Sequence, residues 1–78
     1  MLKLAELKVG DKGYISQITN LQVQFYLLNM GCTPQASLEV VNIAPLGDPI
    51  AIKVGNTILS IRKRDAQYIQ IQKQDTKN

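Results

Sequence analysis

The side chains able to do chemistry are few and scattered. Six carboxylates, Glu6, Asp11, Glu39, Asp48, Asp65 and Asp75, are spread over 78 residues, and no two are closer than five positions. General acid/base work, or oxygen ligation of iron or magnesium, needs such groups to converge in space. The spacing announces no such convergence. The chain has no histidine, so the commonest acid/base group and the commonest ligand for softer metals are missing. Its single cysteine, Cys32, cannot build a structural zinc site or an internal disulfide. Cys32 is expected just past a helix C-terminus, where the dipole disfavours a thiolate, so it reads as a small apolar filler. Gly10, Gly13 and Gly31 lack the spacing of a phosphate-binding loop. The expectation is a protein that is not an enzyme, with no catalytic residue, no metal ligand set and no cofactor.

The one charge cluster is Arg62-Lys63-Arg64, followed directly by Asp65. With a net charge of +3 it is compatible with nucleic acid or an anionic membrane surface. Nucleic-acid barrels pair such charge with surface aromatics for base stacking. Here Tyr14, Tyr26 and Tyr68 fall in three separate elements, so a solvated face is the default and nucleic acid the alternative. No apolar stretch approaches the roughly 20 residues of a membrane span, and the start, Met1 to Glu6, lacks the apolar centre of a signal peptide. A lone cysteine points away from an oxidising compartment. These features predict a cytoplasmic protein that does not insert into a membrane.

The elements that must position these groups are short. Leu4 and Leu7 fit one helical turn packed on a barrel. Gly10 to Gly13 reads as a turn and Tyr14 to Ile18 as a first strand, with Ile15 inward. Thr19 to Met30 is the helix candidate. Thr19 and Gln22 have capping-box spacing, with Asn20 as the other cap candidate, and Leu21, Phe25 and Leu28 recur at i, i+4, i+7 as the expected apolar face. Gly31 can take the left-handed position past the helix end, and Pro34 prevents continuation.

Ser37 to Ile43 alternates as a second strand. Ala44-Pro45-Leu46-Gly47-Asp48-Pro49-Ile50 follows, a loop rich in turn formers. In it Asp48 reads as a turn residue rather than a ligand. Ile50 to Val54 and Thr57 onward form a hairpin about Gly55-Asn56, a pair suited to a primed turn. That turn sets Ile52 opposite Leu59, Ile50 opposite Ile61 and Val54 opposite Thr57. Lys63 to Gln67 reads as one helical turn and Tyr68 to Gln72 as the last strand. The fold class is mainly β: a small barrel of about five strands with one short helix. Residues 1–73 form one domain, and the polar residues 74–78 are expected to fray.

The same register turns Val41, Ile43, Ala51 and Ile58 away from the core. Contiguous exposed apolar residues mark interfaces. Val41, Ile43 and Ile58, with Leu46 and Asp48 of the rigid loop, are therefore the candidate contacts for a protein partner or a second copy.

Several segments carry a family likeness. Leu4-Ala5-Glu6-Leu7-Lys8-Val9-Gly10, Leu27 to Pro34, the loop Ala44-Pro45-Leu46-Gly47-Asp48-Pro49, and Leu59-Ser60-Ile61-Arg62 with Ala66 and Ile69 stand in order. Over residues 4 to 72 the chain resembles the ferrous iron transport protein A (FeoA) family. It departs from that family's pattern at Gln24 and Phe25, where basic residues are usual, and at Gln35, where glycine is usual. Gln35 implies either a type I turn or a strained type II turn around Pro34. The resemblance implies an SH3-like barrel that assists a ferrous iron permease of the FeoB type in the cytoplasm through protein contacts. It also implies a family-level association with transition metals, for which these residues offer no tight site.

Overall fold

The Gly55-Asn56 turn sets the register of the molecule's central hairpin. In the computed structural model, which describes residues 2–33 and 35–74, β4 (Ile50–Val54) and β5 (Thr57–Ile61) pair antiparallel with Ile50 opposite Ile61, Ile52 opposite Leu59 and Val54 opposite Thr57. Gly55 has φ +61°, the left-handed conformation that a primed turn demands and glycine adopts without strain. Alternation then sends Ile50, Ile52, Leu59 and Ile61 into the core, all buried.

The remaining strands are β1 (Leu2–Lys3), β2 (Lys12–Ile18), β3 (Ser37–Ile43) and β6 (Ile69–Lys73). They form a six-stranded antiparallel sheet in the order β1-β6-β2-β3-β4-β5. The sheet curls around one core but is not closed by pairing between β1 and β5, its two edges. The two-residue β1 adds one strand to the five expected. A 3₁₀ turn at Leu4–Glu6 carries Leu4 and Leu7 onto the core. A single helical turn, α2 (Lys63–Ala66), links β5 to β6.

Two expectations near β2 and β6 are corrected. Gly13 is a strand residue within β2, not part of a turn. β6 runs from Ile69 to Lys73 rather than from Tyr68 to Gln72, and the Gln74 N–H donates to Lys12 O at 2.9 Å. Residues 75–78 of the expected tail lie outside the described residues.

A third correction concerns β3. Its pairing with β4 shifts between Val40 and Asn42: Val40 faces Ile52, Asn42 faces Ala51, and Ile43 faces Ile50. An extra residue in one strand exchanges the faces beyond it. Ile43, expected outward, is therefore half-buried and packs against the core. Val41 is the extra residue and is half-buried as well.

The helix α1 (Leu21–Asn29) is capped by Asn20, whose side chain accepts from Val23 N–H at 3.0 Å. Thr19 instead donates its backbone N–H to Tyr68 O at 2.9 Å, which ties the chain to the start of β6. The helix buries Val23 and Leu27. Leu21, Phe25 and Leu28 lie on the opposite side and are exposed. The expected apolar face is thus the outer one. Ile18 before the helix packs on the core and Cys32 after it is buried. These anchors fix the rotation of so short a helix, and Val23 and Leu27, also four residues apart, follow them inward.

Gln35 has φ +70°, and the Ala36 N–H donates to Thr33 O at 3.1 Å. A positive φ after proline is the requirement of a type II turn; Pro34 itself lies outside the described residues. A side chain in this region costs about 1 kcal/mol or more, partly offset by the chain entropy that glycine adds to the unfolded state. Gln35→Gly is therefore expected to raise stability by about 0.5–1 kcal/mol, read as a higher urea midpoint at constant slope. A lower midpoint would show that the Gln35 side chain contributes contacts that outweigh its strain.

Candidate interaction surface

The sequence candidates do not assemble into one patch. Ile58 is 56% exposed on the edge strand β5, with Lys53 opposite it on β4 and Glu39 beyond on β3. Charged neighbours interrupt any apolar continuity there. Leu46 is 95% exposed at the tip of the β3–β4 loop. That loop enters β4 at Ile50, whereas Ile58 lies opposite Lys53, about 10 Å along the strand at ~3.3 Å per residue. Val41 and Ile43 are partly withdrawn, as described. Of the four apolar candidates, Ile58 and Leu46 are the two that are exposed.

Asp48 is held by the fold. Its Oδ1 accepts the Lys63 N–H at 2.9 Å, so the loop caps the first residue of α2. Gly47, with φ +87°, donates its N–H to Ala44 O at 2.7 Å and closes the turn that aims Asp48. Asp48→Ala leaves that N–H without its partner. The expected loss is about 0.5–1.5 kcal/mol, as for other helix caps, measured by thermal or urea unfolding. An unchanged midpoint would mean that water replaces the carboxylate at no cost.

The surface that sequence reasoning misassigned is the outer side of α1. Leu21 is 68% exposed, Phe25 60% and Leu28 41%. They form a continuous stripe along a convex crest, because residues three and four apart are neighbours on a helix. The signal was present in the sequence as the i, i+4, i+7 spacing; it was given to the core because apolar periodicity usually belongs there. No charged residue occurs between Lys12 and Glu39, so the crest itself is neutral.

One flank of α1 borders the charge cluster. Asn20, Gln22, Val23 and Tyr26 form one wall of a shallow groove, and Arg64, Asp65 and Tyr68 form the other. Tyr26 Oη donates to Ser60 O at 3.5 Å, a long contact to β5. Arg64 also lines a second depression with Arg62 and Asp48. Arg62, Lys63 and Arg64 are exposed, while Asp65 is half-buried.

Two further titratable groups, Asp11 and Cys32, have structural roles. The Lys8 N–H, 2.8 Å from Asp11 Oδ2, holds that carboxyl below its ordinary range, and Lys73 stands 3.5 Å from the other oxygen. Burial pushes the Cys32 thiol up, as expected for an apolar filler. Among the described residues, no three of the potential ligands His, Cys, Asp and Glu come together as a metal site would require. No helix among them is long and apolar enough to cross a membrane.

Comparison with known proteins agrees with this architecture. The FeoA domain model matches residues 2–73. A fusion protein of Porphyromonas gingivalis, Fe(2+) transport protein A joined to the Fe(2+) transporter FeoB, is 31% identical over 72 residues. That match covers 91% of this chain and 8% of the fusion, so the chain corresponds to a small part of that protein. The solution structure of the FeoA protein of Chlorobium tepidum superposes with a TM-score of 0.88 at 31% identity, covering 99% of this chain and 74% of the other. The FeoA of Stenotrophomonas maltophilia, crystallised with zinc and described as a prokaryotic SH3 domain protein, superposes at 0.77, covering 92% and 91%. At 19% identity that likeness speaks for the fold alone. An SH3-like sheet with one packed helix and a family match over nearly the full length lead to one conclusion: this chain belongs to the FeoA domain family.

Proposed function

We propose that this chain is a non-enzymatic accessory module of ferrous iron uptake, which binds the cytoplasmic part of a FeoB-type permease and modulates transport. The observation that carries this reading is the Porphyromonas gingivalis relative, in which a homologous segment and the transporter are one polypeptide. Covalent joining raises the effective concentration of two modules toward each other, which serves pairs that act in contact. The surface chemistry suits the role. The chain offers exposed apolar side chains at Leu21, Phe25, Leu46 and Ile58, and docking needs such groups where catalysis would need converging acids and bases.

Ferrous iron uptake by cells carrying the permease, with and without this chain, tests the proposal. Uptake is expected to fall several-fold without the chain and to recover when it is supplied on a plasmid. Equal uptake in both strains, at equal permease levels, would contradict it.

A further inference from the structure

The geometry points to the outer crest of α1, Leu21, Phe25 and Leu28, as the element that docks into an apolar groove on the permease's cytoplasmic part, with Arg64 facing a carboxylate on the groove's rim. This rests on the permease reading above and names the surface that serves it. Anchors at i, i+4 and i+7 on one helix face are the pattern by which a helix is recognised in a groove. The crest is convex, and its opposite side is already fixed to the core through Val23 and Leu27. The anchors are thus presented on a rigid support, and little ordering cost remains to be met on binding.

Size decides against a second copy as the occupant. The three anchors offer on the order of 100 Å² each, so two crests in contact would bury roughly 600 Å². A stable interface buries about 1,200 Å² or more. A groove reaches that range because its walls also cover the sides of the helix, Gln22, Gln24 and Tyr26. Charge decides against a lipid surface. Helices that lie on membranes carry Lys and Arg along their polar face, whereas α1 is nine residues long and uncharged throughout. A neutral crest fits a groove floor without countercharge. Arg64, on the exposed flank beside Tyr26, sets the sign expected at the rim.

The test uses the full chain against the purified cytoplasmic part of the cognate permease. Phe25→Glu and, separately, Leu21→Ser are measured by binding titration and thermal melt, with Val9→Ser as an exposed control elsewhere. Both crest variants are expected to melt close to the parent protein. Phe25→Glu should bind about 30-fold more weakly, the size of a hot-spot loss, and Val9→Ser should bind unchanged. Arg64→Glu should weaken binding about fivefold at low salt, with the gap closing as salt is added.

Parent binding with Phe25→Glu equally tight overturns this inference and leaves the permease reading standing, most directly if Ile58→Lys loses binding instead. No binding by the parent overturns both. Collapse of the melt in both crest variants shows that the crest belongs to the core and overturns the inference. So does a parent dimer in sedimentation that Phe25→Glu dissolves. Capture of the parent, but not of Phe25→Glu, by vesicles of phosphatidylglycerol and phosphatidylethanolamine also overturns it.

Discussion

Ile52→Ala is expected to destabilise the protein by about 2–5 kcal/mol. Ile52 is 0% exposed at the centre of β4, with Val40 opposite on β3 and Leu59 opposite on β5, both buried. Truncation removes the branched side chain from between two strands whose backbones are hydrogen-bonded to β4. Those strands cannot collapse into the space without breaking their ladders, so most of the cavity persists. Domains of this kind have only about 5–15 kcal/mol of total stability, and one of 78 residues lies toward the low end. The variant should therefore unfold at a much lower urea concentration. A loss under about 0.5 kcal/mol would mean that Ile52 is not where the hairpin register puts it.

The second large effect is expected at Gly13. A Cβ there would stand 2.7 Å from Gln72 O and 2.8 Å from Ile71 Cγ2, with Lys73 Cα at 3.3 Å. Two of these neighbours are backbone atoms of β6, which pairs with β2 along most of its length. Backbone in a paired strand cannot turn aside as a surface side chain can. Gly13→Ala must push β2 and β6 apart or tilt one against the other, at a cost of about 1–3 kcal/mol. Amide hydrogen exchange should show the damage as faster exchange in β6 and β2 than in the distant β4–β5 hairpin. Parent-like stability would show that the two strands separate at no cost.

The hairpin, the strands either side of the β3–β4 loop and the turn at α2 were legible because their signals are local. Gly55-Asn56 specifies its own turn, and the turn specifies which of Ile50, Ala51, Ile52 and Lys53 point inward. The features that escaped depend on distant parts of the chain. Leu38, Val40 and Asn42 continue an alternating pattern, so nothing in β3 itself marks the bulge that carries Ile43 to the core side; β4 imposes it through pairing. Gly13 looks like a turn residue beside Gly10 and Asp11, and only the closeness of β6 explains why glycine stands inside a strand.

The helix is the clearest case. Leu21, Phe25 and Leu28 make the longer stripe, yet Val23 and Leu27 are buried, because the ends of the helix are pinned at Ile18 and Cys32. Apolar periodicity locates a helix without saying which of two apolar faces meets its own core. On the docking proposed above, the second face is where the partner would sit. The likeness to the FeoA family was legible because most of its segments are turns and helix ends, whose residue types follow from backbone shape; Leu59 to Ile61 lie in strand β5 instead.

The measurement that bears most directly on the central claim is a calorimetric titration of the full chain into the purified cytoplasmic part of the proposed partner, a FeoB-type permease. Saturable one-to-one binding is expected, with Kd between about 1 and 100 μM, the range suited to a transient contact that modulates rather than builds a transporter. No saturable binding with the chain at about 1 mM, where such an affinity would fill nearly every site, would contradict the account.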